Sequence, residues 1–227
     1  MLAATTLQTE VTHPTFLTLH SLFSGYDRDF SPCTASGPLV IDVSMDVMEL
    51  AWKGNKMHIL YFLREKWVDE RLQSNTTIPI KIKESEKAWL PDVFSPTAIQ
   101  SKTEHDGALT ILPHGELVLS RLIKSSFNCP LSLTSVYLKN GTVNCTVTFE
   151  PYGHSENEVK LRWADHGVNM EYIKNKNCNY ATVIESEENV VSAHGRKYSR
   201  LEVVIEVQTG ITRSVLEYQL QKIVSEL

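Results

Sequence analysis

Leu39-Val40-Ile41-Asp42-Val43-Ser44-Met45-Asp46-Val47 places an apolar side chain at every second position, with Asp42, Ser44 and Asp46 between them. A helix would scatter the two classes around its axis. An extended chain sorts them onto opposite faces, one for a core and one for water. The same alternation returns in Val143/Cys145/Val147/Phe149 and in Leu201/Val203/Ile205/Val207. Shorter apolar runs lie between them, at Ile78–Ile82, Leu109–Leu112, Leu117–Leu122 and Val159–Trp163. Short strands separated by turn residues, with no helical pattern between them, predict an antiparallel sandwich or barrel in a single domain.

The two ends read differently. Thr12-His13-Pro14 followed by Phe16, Leu17, Leu19, Leu22 and Phe23 predicts a capped amphipathic helix, with Pro14 in its first turn and Gly25 at its exit. At the other end Leu216, Leu220, Ile223 and Leu227 recur at heptad spacing among Glu217, Gln219, Gln221 and Lys222. That seam is too short to hold an isolated coiled coil together. It suits either packing on its own domain or assembly where several copies are already gathered. The expected organisation is a sandwich over residues 12–212 and a short C-terminal amphipathic helix over 213–227.

Composition excludes more than it identifies. The chain has 227 residues, a formal net charge of −5 and no basic stripe, so a nucleic-acid phosphate backbone is not an expected partner. The longest apolar run, Ile59–Leu63, falls far short of the ~20 residues needed to span a bilayer. The histidines and cysteines lack metal-ligand spacing, and no phosphate loop or nucleophile elbow occurs, so neither metal, cofactor nor catalysis is expected.

Four cysteines, Cys33, Cys129, Cys145 and Cys178, allow three pairings if all are oxidised. Pairing Cys129 with Cys145 would close a short loop around Asn140-Gly141, worth roughly 3 kcal/mol; two buried free thiols are the alternative. Asn75, Asn140 and Asn144 each begin an N-x-[ST] glycosylation acceptor. Together with the cysteines they point to an extracellular protein. The amino terminus lacks the charged and apolar regions of a signal peptide.

Three segments combine into a more specific pattern: Phe62-Leu63-Arg64-Glu65-Lys66-Trp67-Val68-Asp69-Glu70-Arg71-Leu72, then Trp89-Leu90-Pro91-Asp92-Val93-Phe94, then the Cys129–Cys145 interval. In this order they resemble the extracellular ligand-binding domain of Cys-loop receptors, the pentameric neurotransmitter-gated channels, and the related soluble acetylcholine-binding proteins. Tyr26-Asp27-Arg28 and Tyr198-Ser199-Arg200-Leu201 fit the same template, and coverage runs from about residue 14 to 212. The resemblance implies an all-β fold, a ten-stranded antiparallel sandwich with an N-terminal helix. It also implies a Cys129–Cys145 disulfide and a homopentamer with one small-molecule site between each pair of subunits. Trp67, Asp69, Arg71, Trp89, Pro91 and Asp92 would be framework residues.

The family surrounds a cationic amine with aromatic rings, whose faces attract it electrostatically. By resemblance Tyr152 and Tyr198 take two of these aromatic places on the principal side. Phe94 takes the earlier place as γ-aminobutyric acid receptors have it, while the acetylcholine-receptor spacing would fall on Pro96. Phe62 supplies the facing ring from the complementary subunit. Arg64 and Ser120 resemble the carboxylate-binding positions of glycine and γ-aminobutyric acid receptors, and Glu150 resembles their amine-facing acid. A guanidinium fork with a hydroxyl suits a carboxylate, and an acid beside a tyrosine suits an ammonium. The expected ligand is a small cationic or zwitterionic molecule. For Arg64 the alternative is a solvated strand charge or an ion pair between subunits.

Two departures from the family refine this. The stretch Val190–Tyr198 has no adjacent cysteine pair, the mark of acetylcholine-binding principal subunits. The fifteen residues between Cys129 and Cys145 exceed the family's usual interval and lack its aromatic-Pro-aromatic-Asp segment. With the polar C-terminal heptad, this favours a secreted soluble relative over the extracellular part of a channel, or over an orphan pentamer that takes an apolar amphiphile.

Overall fold

A computed structural model describes residues 19–32, 37–53, 55–74, 77–83, 87–129, 141–173, 179–191, 195–208 and 213–226. Among these residues ten strands form two facing sheets. In chain order they are β1 (Leu39–Lys53), β2 (Lys56–Val68), β3 (Ile80–Ile82), β4 (Val93–Phe94), β5 (Ala98–Ile111), β6 (Glu116–Asn128), β7 (Thr142–Pro151), β8 (Val159–Asn169), β9 (Asn179–Val191) and β10 (Lys197–Gln208). The six-stranded sheet runs β3-β5-β6-β2-β1-β8 and the four-stranded sheet β4-β7-β10-β9. All pairings are antiparallel except that of β1 with β8, which is parallel.

The alternating runs do what their periodicity dictates. Ile41, Val43, Met45 and Val47 of β1 face inward and meet Val147, Phe149, Leu201, Val203 and Ile205 from the other sheet in one hydrophobic core. Each such side chain removed from water contributes on the order of 1.5–3 kcal/mol. β5 begins at Ala98, well before the expected Leu109–Leu112. Its first half, Gln100-Ser101-Lys102-Thr103-Glu104-His105, is polar on both faces, so period-two reading has nothing to detect there. Cross-strand hydrogen bonds with β6 hold it extended.

Residues 19–22 are helical, and Leu22 is buried while the ring of Phe23 meets Tyr26 edge-on at 5.5 Å. The expected start of that helix, Thr12 to Thr18, lies outside the described residues. The C-terminal helix, Arg213–Glu226, exposes Val215, Tyr218, Leu220, Ile223 and Val224.

Cys129 and Cys145 form a disulfide with Cα atoms 5.2 Å apart. It ties the end of β6 to β7 and so joins the two sheets covalently. Replacing both cysteines by alanine is expected to lower the unfolding free energy by about 3 kcal/mol, the loop-closure scale for this separation. Urea denaturation of the oxidised protein and the double variant measures it. Asn144 is exposed on β7; Asn75 and Asn140 lie outside the described residues.

Gly115 makes the β5–β6 turn with φ +77°, and a Cβ there would sit 2.6 Å from the Asp69 carbonyl. The Gly115 carbonyl also accepts from the Asp69 amide at 2.8 Å. Only glycine fits both demands. This turn fixes the register of β6 against β2.

One inward position of β2 is not apolar. Glu65 stands between Leu63 and Trp67 with no exposed surface. Arg121 Nη2 donates to both of its carboxylate oxygens, at 2.9 and 2.7 Å. Burial pushes the Glu65 carboxyl up to about 7 in spite of the opposing pull of Arg121, and the charge of Asp92 adds to the rise.

Candidate functional site

The seven predicted site residues fall into two groups. Phe62, Arg64 and Ser120 share the outward face of the six-stranded sheet. β2 turns Tyr61, Leu63, Glu65 and Trp67 inward, so the residues between them must point away from the core. Register places Arg64 opposite Ser120 on β6 and opposite Ser44 on β1. The Arg64 guanidinium lies 5.3 Å from the centre of the Phe62 ring and is ion-paired with Asp46. Arg64 keeps about two-fifths of its side-chain surface exposed while Asp46 is mostly covered, so one side of the fork still faces solvent. The Asp46 pair lies within one chain, so Arg64 is not simply a solvated strand charge.

The second group lies at one end of the four-stranded sheet. Phe94 on β4 pairs across to Glu150 on β7. The rings of Phe94 and Tyr152 meet edge-on at 5.6 Å. Tyr152 is 77% exposed and Phe94 38%, an unusual state for two adjoining aromatic rings. Tyr198 is the second residue of β10 rather than part of the loop before it, and is half-buried opposite Val190. The β10–β7 pairing ends at Leu201 with Phe149, three residues short of Tyr198. Glu150 is held by Arg200, whose Nε and Nη2 both reach its Oε1 at 2.5 Å, while Arg200 Nη1 reaches Glu188 at 3.3 Å.

The segment carrying Tyr152 is positioned from below. Asp92 accepts from the Gly153 amide at 2.7 Å and meets His154 Nδ1 at 3.1 Å, and its own carbonyl accepts from the Tyr152 amide at 3.1 Å. Trp89 stacks edge-on with His154 at 5.6 Å and with Trp67 at 6.1 Å. The Trp89 amide donates to the Tyr26 hydroxyl, which in turn donates to Asp69. A continuous chain of rings and hydrogen bonds thus runs from the core to the exposed Tyr152.

Asp46 and Arg200, the resident counter-charges of Arg64 and Glu150, were not among the expected site residues. Each sits on a neighbouring strand, Asp46 across the β1–β2 hairpin and Arg200 much further along the chain, so strand register is what reveals it. Glu65 did leave a signal, since strict alternation through Tyr61, Leu63 and Trp67 puts its parity inward.

No ring contact, hydrogen bond or ion pair joins the two groups among the described residues, and they lie on different sheets. A groove of about 780 Å³ lies elsewhere, lined by residues such as Phe30, Pro38, Trp67 and Arg162 and by none of the seven. One group sets exposed rings beside an acid paired with Arg200, and the other sets a ring and a hydroxyl beside a guanidinium paired with Asp46.

The family sequence model for the neurotransmitter-gated ion-channel ligand-binding domain matches residues 17–215. The chain belongs to this family. Members of the neurotransmitter-gated ligand-binding family are extracellular receptor domains of pentameric channels, and they bind ligands rather than catalyse reactions. The chain is 28% identical to a γ-aminobutyric acid receptor subunit beta from Caenorhabditis elegans, over 66% of its own length and 29% of that protein. It is 24% identical to a γ-aminobutyric acid receptor subunit beta from Lymnaea stagnalis, over 91% of its length and 45% of that protein. A mouse γ-aminobutyric acid receptor subunit gamma-3 is 26% identical over 74% of the chain and 37% of that protein. The chain thus spans less than half the length of these relatives. Among the described residues no helix is long and apolar enough to cross a membrane, and no cluster of side chains could hold a metal ion.

Proposed function

We propose that the chain is one subunit of a secreted homopentamer that binds a small zwitterionic amino acid between neighbouring copies. The observation that carries this reading is the chemical division between the two groups. Phe94, Glu150, Tyr152 and Tyr198 offer π-faces and a carboxylate to an ammonium, while Arg64 and Ser120, beside Phe62, offer a fork and a hydroxyl to a carboxylate. One copy presents each group on a different sheet, so a second copy is needed to bring them together. Similarity to γ-aminobutyric acid receptor subunits supports an amino acid over a quaternary amine. In this reading residues 12–212 form the binding domain, residues 213–227 form a separate helix, and the glycosylation acceptors carry sugar.

Light scattering at micromolar concentration should give a mass near five times 25.7 kDa plus glycans; a monomer sinks the reading. Calorimetry with glycine, γ-aminobutyrate, glutamate, acetylcholine and nicotine should show heat with an amino acid, and silence for all five sinks the ligand. Arg64→Ala should weaken the binding amino acid by about 2 kcal/mol, roughly thirtyfold, the scale for a lost charged hydrogen bond. Unchanged affinity removes Arg64 from the site and leaves it as the partner of Asp46.

A second reading, the extracellular part of a ligand-gated channel, is favoured by the relatives being receptor subunits. Fractionation of the native protein separates the two: recovery with membranes supports the channel, recovery in the medium the secreted pentamer.

A further inference from the structure

We propose that the buried Glu65–Arg121 pair is a proton-operated brace for β4: ionised, it fixes the segment that carries Phe94, and neutralised, it lets that segment loosen. The proposal rests on the aromatic site described above and adds to it a positioning element and a sensitivity to acid.

The geometry is that of an under-satisfied ion pair. A single nitrogen, Arg121 Nη2, contacts both Glu65 oxygens, while buried Arg121 Nε has no hydrogen-bond partner among the described residues. Glu65 comes from the inward row of β2 and Arg121 from β6 next to it. The same Nη2 reaches the carbonyl of Val93 at 3.4 Å. Val93 is one of only two residues in β4; the other is Phe94, and Asp92 just before them clamps Gly153 and His154. One guanidinium nitrogen therefore links a buried acid to the short strand on which both exposed rings depend.

The charged groups facing Glu65 are Arg121 from β6, Asp92 from the segment entering β4, and Tyr61 from its own strand, with His154 behind Asp92. Only Arg121 favours the carboxylate. A buried ion pair with imperfect geometry recovers little of its desolvation cost, so the proton is accepted close to neutral pH, near 7. Once Glu65 is neutral, the Arg121 guanidinium has lost its counter-charge and keeps only neutral acceptors, the Glu65 carboxyl and the Val93 carbonyl. Its side chain is already 22% exposed. It regains hydration by moving outward and gives up the Val93 carbonyl.

The sign for folding is opposite to that for bracing. Because the folded carboxyl is raised above its ordinary value, the proton's stabilisation is complete below about 4.5 and is lost as pH rises through about 7. The whole fold is thus favoured by the proton that releases β4.

Hydrogen–deuterium exchange of the full chain tests the brace. Corrected for intrinsic rate, exchange around Val93 and Phe94 should rise about tenfold in the wild type from pH 8 to pH 6, the scale of one lost charged hydrogen bond. In Glu65→Gln it should be fast at both pH values, with His154 unchanged. γ-Aminobutyrate affinity by calorimetry should follow the same profile. Exchange at β4 that is flat with pH in the wild type overturns the brace without needing a variant. A pH profile retained in Glu65→Gln also overturns it. If exchange switches but no amino acid binds at any pH, the site reading fails and the brace stands.

Discussion

Arg71→Ala should lower the unfolding free energy by about 3 kcal/mol or more, since removing one partner of a buried pair leaves the other's charge uncompensated. The uncompensated charge is that of Asp69, which has no exposed surface. Arg71 Nε and Nη2 grip its two oxygens at 2.8 and 2.7 Å, and Nη2 also reaches the Phe30 carbonyl and the Tyr26 hydroxyl. The guanidinium lies 4.5 Å from the centre of the Tyr26 ring. Burial pushes the Tyr26 phenol up to about 12, so it stays a neutral donor to Asp69 across the working pH range. Arg71→Lys keeps the charge and loses the fork, and should recover part of the loss. Chemical denaturation of both variants measures this, and equal stability of Arg71→Ala and wild type removes the cluster as a structural element. Because Tyr26 also accepts from the Trp89 amide, the damage should spread to the Trp89–His154 contact beneath Tyr152.

Phe149→Ala should cost about 3–5 kcal/mol, the range for truncating a large buried ring. Phe149 is a point where the sheets meet. Its ring packs edge-on against Tyr61 of the six-stranded sheet at 6.1 Å and against Trp163 of β8 at 6.2 Å. Such rings add specific contacts to the area they bury. The next residue along β7 is Glu150, so collapse around the cavity would also shift the acid of the proposed site. Phe149→Leu fills more of the space and should cost clearly less, with ligand affinity retained. Thermal unfolding and calorimetry on both variants read the two effects separately. A Phe149→Ala loss under 1 kcal/mol would mean that the ring is not part of the shared core.

The elements most legible in the sequence are those whose two faces differ in polarity. Ile41 through Val47 and Val143 through Phe149 contrast a dry side with a wet one, and their period declares them. β5 does not, because Gln100 through His105 are polar on either side and its place is dictated by β6 instead. The candidate site follows the same rule. Phe62, Phe94 and Tyr152 stand out as aromatic residues at family positions, and short-range features suffice to find them. Whether Arg64 and Glu150 already have counter-charges depends on which strands lie next to theirs, and no local pattern encodes that. Asp46 and Arg200 become partners only after β1 docks on β2 and β10 on β7.

The parallel pairing of β1 with β8 sets the order in which the chain can be completed during synthesis. Leu39 lies beside Val159, and Asp42 is bonded to Arg162 across 120 positions of sequence. β1 can take β2 as a hairpin neighbour early, but its other edge stays open until most of the chain has left the ribosome. Contacts this distant slow folding, because the loop must close before any of its bonds form. An open edge of alternating apolar residues is meanwhile a template for foreign strands. Expression yield should therefore respond more to temperature and chaperone supply than the stability of the finished sandwich suggests.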